Sequence, residues 1–118
     1  MNTSVENPLV QWKAGFQKLR TDAPDVARAF GGLHVAMMKP GNLSTLEKEL
    51  IALAVGMTQG CTDCIWLHAE GSVKAGATRE QVIEAAGVAV LMGGGPAFVR
   101  MPDVLKALDH LQAAPPTT

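Results

Sequence analysis

A chain of 118 residues, 47% of them apolar and with a net charge of −1, fits one domain. A domain of this length buries roughly two-thirds of the surface its unfolded chain exposes, so it needs neither a disulfide nor a metal to fold. The ten Lys and Arg residues are scattered, which excludes the clustered basic face of a nucleic-acid binder, and no run of about 18 apolar residues could span a membrane.

The first eight residues, Met1 to Pro8, have neither the basic start nor the apolar centre of a secretory leader, so a cytoplasmic location is expected. A first helix is expected over about Pro8 to Leu19. A second begins near Pro24, with Asp22 as its cap, and runs to about Met38, where Lys39-Pro40-Gly41-Asn42 stops it. Ser44 and Glu47 form a capping box at the start of a third helix, with Leu46, Leu50, Leu53, Ala54 and Met57 at helical spacing. Gly60 breaks that helix. A fourth opens at Cys61 or Thr62 and ends near Ala75, before Gly76. Thr78 and Gln81 make a second capping box for a helix to about Met92. After Gly93-Gly94-Gly95-Pro96, a last helical segment reaches about Leu111, kinked or divided at Pro102. No β-type alternation appears, so the fold class is all-α: a single domain over 1–118, with frayed ends at about 1–7 and 113–118.

In a reducing compartment, two cysteines three positions apart serve catalysis or a metal more readily than they staple a fold. Cys61 and Cys64 fall at a helix N-terminus, where unpaired N–H groups and the helix dipole favour a thiolate. Spaced by one turn, they share a face and can meet as a disulfide. Asp63 lies between them, and its charge opposes thiolate formation. One turn beyond Cys64 comes His68. At 100° per residue, Cys61, Cys64, Ile65, His68, Ser72 and Ala75 fall on one stripe. An imidazole there can accept a thiol proton.

Glu49 lies at the margin of the preceding helix's apolar face, beside the small residues Ala52 and Gly56. A carboxylate beside an apolar face needs a partner. The break at Gly60 is short, so the two helices run antiparallel. Their rise per residue places Glu49 and His68 within roughly 4–5 Å of the same height. Glu49, His68 and Cys64 therefore form a candidate relay, with Glu49 orienting the imidazole and His68 managing the proton. The competing readings are a zinc site of Cys61, Cys64, His68 and Glu49, a pair of core cysteines, a structural His68 and a surface Glu49. His34 and His110 have no constellation around them and read as structural. Trp12, Phe30, Phe98 and the methionines read as core or interface. Trp66 points away from the cysteine stripe, toward packing or a subunit contact.

The pattern Glu49-x11-Cys61-x2-Cys64-x3-His68 resembles the carboxymuconolactone decarboxylase family, in its AhpD-like alkylhydroperoxidase branch. The flanking segments Leu46–Ala54, Ala75–Val82 and Val90–Ala97 agree, so the likeness covers about Gly32 to Leu108. The resemblance implies a multihelical AhpD-like fold and a homo-oligomer, a trimer or hexamer. It implies a peroxiredoxin-like thiol peroxidase in which Cys64 attacks a hydroperoxide and Cys61 resolves the sulfenic acid to a disulfide. A dithiol reductant protein, such as a lipoylated one, would restore the thiols. Glu49 and His68 match the proton-relay positions. No cofactor, metal, nucleic acid or membrane is expected. The branch prototype carries a histidine just before its second cysteine, where this chain has Asp63. Within the same chemistry, the alternative is a general disulfide oxidoreductase. A lactone decarboxylase and a zinc-binding or redox-sensing module complete the alternatives, although the decarboxylase members lack the dithiol.

Overall fold

The computed structural model describes residues 7–111. These form seven helical segments: α1 (Pro8–Asp22), α2 (Pro24–Met38), α3 (Thr45–Thr58), α4 (Thr62–Lys74), α5 (Arg79–Gly93), the single turn α6 (Gly95–Phe98) and α7 (Met101–Leu111). There is no β-strand among the described residues, and no helix of theirs is long and apolar enough to cross a membrane. The fold is all-α, as the patterning predicts.

Local chemistry accounts for most boundaries. Asn7 caps α1, its side chain accepting the Leu9 N–H at 3.0 Å, and Pro8 opens the helix where an N–H would find no partner anyway. Asn7, placed by sequence in a frayed end, is in fact buried; the rest of the expected frayed ends lies outside the described residues. The helix also runs past Leu19 to Asp22, because the Ala23 N–H bonds the Leu19 carbonyl at 2.7 Å and holds the last turn closed. Asp22 is therefore the end of α1 rather than the cap of α2. Ala23 takes the cap position without a side-chain bond, and Pro24 opens the helix with one fewer orphan N–H.

Both predicted capping boxes form. Ser44 accepts the Glu47 N–H while the Glu47 carboxylate receives the Ser44 N–H, and Thr78 with Gln81 repeats the arrangement. Pro102 neither kinks nor divides a helix. The division falls at Val99 and Arg100, between α6 and α7, and Pro102 occupies the first turn of α7, where its missing N–H costs nothing.

Antiparallel α3 and α4 form the centre, with α5 and α7 packed on them. Leu53 and Met57 of α3, Ile65 of α4, Val82, Ala86 and Ala89 of α5, and Val104 and Leu108 of α7 make the main core. Fully burying a side chain such as Leu53 contributes about 1.5–3 kcal/mol. A second cluster joins Leu9 of α1 to Trp66, Ala69 and Ala107, so Trp66 is a packing residue on the face of α4 opposite the cysteines. Helix α2 lies against α1 and reaches α3 near one end. There the Thr45 hydroxyl and the Lys48 ammonium donate to the Met38 and Lys39 carbonyls, each at 2.7 Å.

Candidate dithiol site

The site begins at the turn between α3 and α4. Gly60 adopts φ 68°, in the left-handed region where a Cβ is penalised. From there the Gly60 N–H reaches the Met57 carbonyl and the Cys61 N–H reaches the Gly56 carbonyl, at 3.1 and 3.0 Å. This paired closure ends α3 and delivers the next residue, Cys61, to the N-cap of α4 with no intervening loop. Cys61 caps the helix with its sulfur, which accepts the Cys64 N–H at 3.1 Å. Cys64 thus occupies the first turn, as the spacing predicts.

Cys61 and Cys64 are joined as a disulfide, with Cα atoms 5.2 Å apart. In that state they offer no thiolate to a metal. Both residues are half-buried, whereas Asp63 is exposed, so its charge is screened by water rather than focused on the sulfurs. The helices come close at this point because α3 presents Gly56: a Cβ there would sit 3.0 Å from the Cys64 Cβ.

Further along α4, the His68 Nδ1 and Glu49 Oε1 lie 2.8 Å apart. The Glu49 side chain is 8% exposed and that of His68 20%. The antiparallel pairing thus brings together the two residues that the height argument places side by side. Room for the carboxylate comes from Gly71 on α4, where any Cβ would collide with both Glu49 oxygens. Ser72, buried one turn past His68, donates to the His68 carbonyl at 2.7 Å and leaves no unpaired hydroxyl in the interface.

At the mouth of the turn, the Arg100 guanidinium donates to the Thr62 hydroxyl at 3.3 Å and to Asp103 at 3.2 Å. This network pins the start of α4, and with it the cysteines, to the start of α7. None of these three residues carries a sequence signal, since the connection spans 38 positions.

His34 departs from its reading as an isolated structural histidine. Its ring centroid lies 6.2 Å from that of His68, and its side chain approaches the Glu49–His68 pair from α2. The available signal was its helical stripe: Ala27, Gly31, His34 and Met38 share one face of α2, and the other three are buried or half-buried. His110 keeps its structural reading. It pairs with Asn7 at 3.0 Å and lies against Trp66, away from the dithiol.

A helix pair that delivers a CxxC dithiol to an N-terminus, backed by a buried Glu–His pair, defines a class of small helical thiol proteins. Residues 24–109 match the carboxymuconolactone decarboxylase family, to which the chain belongs, in its AhpD-like branch. An uncharacterised protein of Cupriavidus necator is 34% identical over 96% of this chain and the whole of its own length. Alkyl hydroperoxide reductase AhpD of Corynebacterium kroppenstedtii is 34% identical over 59% of this chain and 40% of that protein. Among solved structures, a carboxymuconolactone decarboxylase family protein from Legionella pneumophila superimposes with a TM-score of 0.81 at 36% identity, over 86% of this chain and 90% of that one. A family protein from Thermotoga maritima, for which an antioxidative role has been suggested, gives 0.71 at 27% identity, over 87% and 86%.

Proposed function

We propose that the protein is a thiol peroxidase that reduces a small hydroperoxide through Cys64 and Cys61. The observation that carries this reading is the disulfide between the N-cap and first turn of α4, one turn from a histidine held by a buried carboxylate. Nothing in that arrangement is needed to close the fold, whose core lies in Leu53, Met57, Ile65 and their neighbours. Its components match what peroxide chemistry requires.

In the first step His68 accepts the Cys64 proton, and the thiolate attacks the terminal peroxide oxygen. The O–O bond breaks, Cys64 becomes a sulfenic acid, and the departing alkoxide takes a proton to leave as an alcohol. In the second step the Cys61 sulfur attacks that of Cys64, and water leaves as the disulfide forms. The Cys61 sulfur receives a backbone N–H at the cap, a place that favours negative charge on it. In the third step a dithiol reductant protein exchanges with the disulfide and carries away the two oxidising equivalents. Glu49 holds one ring nitrogen of His68 and fixes which nitrogen faces the thiol.

The test is a thiol count on the reduced protein before and after cumene hydroperoxide, beside Cys61→Ser and Cys64→Ser. Loss of two thiols per chain with one peroxide consumed is expected in the native protein. Cys64→Ser should be inert, and Cys61→Ser should stop at a trappable sulfenic acid. Thiols that survive excess peroxide would sink the proposal.

A second reading, general disulfide reduction, draws on the same cap geometry, because a thiolate favoured at Cys61 can attack a disulfide as readily as a sulfenic acid. Insulin reduction by the dithiol form separates the two. Inert thiols toward peroxide together with rapid insulin reduction would select the second.

A further inference from the structure

His34 enters none of the chemistry above, yet it is aimed at the same place. One ligating atom from each of His34, Glu49 and His68 lies within 4.8 Å of the others. Glu49 and His68 come from the central helix pair, and His34 from α2, which the Met38 and Lys39 carbonyls tether to the start of α3.

We propose that His34, Glu49 and His68 form a binding site for a divalent transition-metal cation of the zinc type, available while Cys61 and Cys64 are oxidised. Two imidazoles and one carboxylate are a ligand set that suits such an ion. Two of the three ligands are already in place, because Glu49 and His68 are mostly buried and lie 2.8 Å apart. Bonds of about 2.0–2.2 Å set tetrahedral ligand atoms about 3.3 Å apart. Reaching that spacing takes only a small opening of the Glu49–His68 contact and a shift of about 1–2 Å in the His34 ring. His34 is exposed and has the rotamer freedom for that shift. The mostly buried Glu49 carboxylate faces the His68 ring in this structure, and a divalent cation would supply it with a strong local counter-charge.

This site differs from a zinc centre built on the cysteines. The disulfide removes both sulfurs from the ligand set, and His34 lies on a helix that the cysteine motif does not include. A bound cation and the relay would draw on the same two side chains, Glu49 and His68, so the two uses compete. That consequence rests on the peroxidase reading, whereas cation binding does not.

The experiment is calorimetric titration of the oxidised full-length chain with zinc chloride, the disulfide first verified by the absence of free thiols. The native protein should bind one zinc per chain. His34→Ala should weaken binding about tenfold or more, and cobalt(II) should give a tetrahedral visible spectrum that the variant loses. His110→Ala, which removes a histidine remote from the site, should bind like the native protein. Circular dichroism checks that each variant keeps its helices. No binding at millimolar zinc overturns the proposal, as does an unchanged affinity in His34→Ala. Since no turnover is read, a failure here is distinct from a failure of the peroxidase reading.

Discussion

At the scale of single residues, the question is what His68 and Glu49 each contribute. A positioned base accelerates proton transfer by about 10²–10⁴-fold. On the proposed mechanism, His68→Gln should slow peroxide-dependent thiol loss by about that factor near pH 7. The sign of its pH dependence follows from the role. A free thiol ordinarily ionises near pH 8.5, so above that range the attacking thiolate forms without a base. The gap between native and variant should narrow as pH rises. A ratio that stays flat from pH 6.5 to 9.5 would show that His68 does not act as the base. Glu49→Gln keeps an acceptor oxygen beside the ring but removes the carboxylate charge. It should fall between native and His68→Gln, with both cysteines still able to form a disulfide.

At the scale of helices, two glycines carry consequences that side chains usually do. Gly71 makes room for the Glu49 carboxylate, so Gly71→Ala must push the carboxylate or separate α3 from α4. Overpacking of this kind costs about 1–3 kcal/mol. The cost should appear as a lower midpoint in urea, accompanied by a loss of peroxide reactivity. Gly60→Ala places a Cβ in the left-handed region and should cost about 1–2 kcal/mol. Gly87→Ala is the control. It lies inside α5 with open space around its Cβ and an ordinary backbone angle, so its effect should be neutral or stabilising. If Gly71→Ala and Gly87→Ala unfold at the same urea concentration, the close approach at Gly71 carries no energetic weight.

The same scale explains what was legible in the sequence. Capping boxes at Ser44 and Thr78 and the stop signals at Gly60 and Gly76 are local, and each is formed within a few residues. The proximity of Glu49 and His68 was also legible, because one tight turn joins their helices and rise per residue fixes their heights. His34 was not. Its place beside His68 depends on how α2 returns to the α3–α4 pair across residues 39–44, and hydrogen bonds from Thr45 and Lys48 set that return. The Arg100–Thr62–Asp103 network was hidden for the same reason. The misplaced end of α1 comes from the Ala23 N–H that closes its last turn, and the misplaced start of α7 from Pro102, since a proline reads as a breaker whether it opens a helix or interrupts one.

At the scale of the whole molecule, the distribution of apolar surface bears on association. Val26, Phe30, Leu33 and Met37 form one exposed stripe of α2, bordering the stripe that carries His34. Val88, Leu91 and Met92 form another on α5, and Phe98 and Val99 are also exposed beyond the turn. Phe30 is 69% exposed, Leu91 79% and Met92 77%, values that would leave large apolar side chains in water in an isolated chain. Monomers rarely expose contiguous apolar patches of more than a few hundred Å². Both stripes belong to rigid helices, so burying them against further copies of the chain carries little ordering cost. We therefore expect a homo-oligomer, with a solution mass that is a multiple of 12.4 kDa at micromolar concentration. A trimer or hexamer is the form the family resemblance implies. Leu91→Glu with Met92→Glu should lower that mass while helicity by circular dichroism stays unchanged, because neither side chain belongs to the core. A native chain that sediments as a monomer would remove the oligomer from the proposal. If the double variant keeps the native mass, the interface lies elsewhere, and the α2 stripe becomes the surface to change next, through Phe30→Glu.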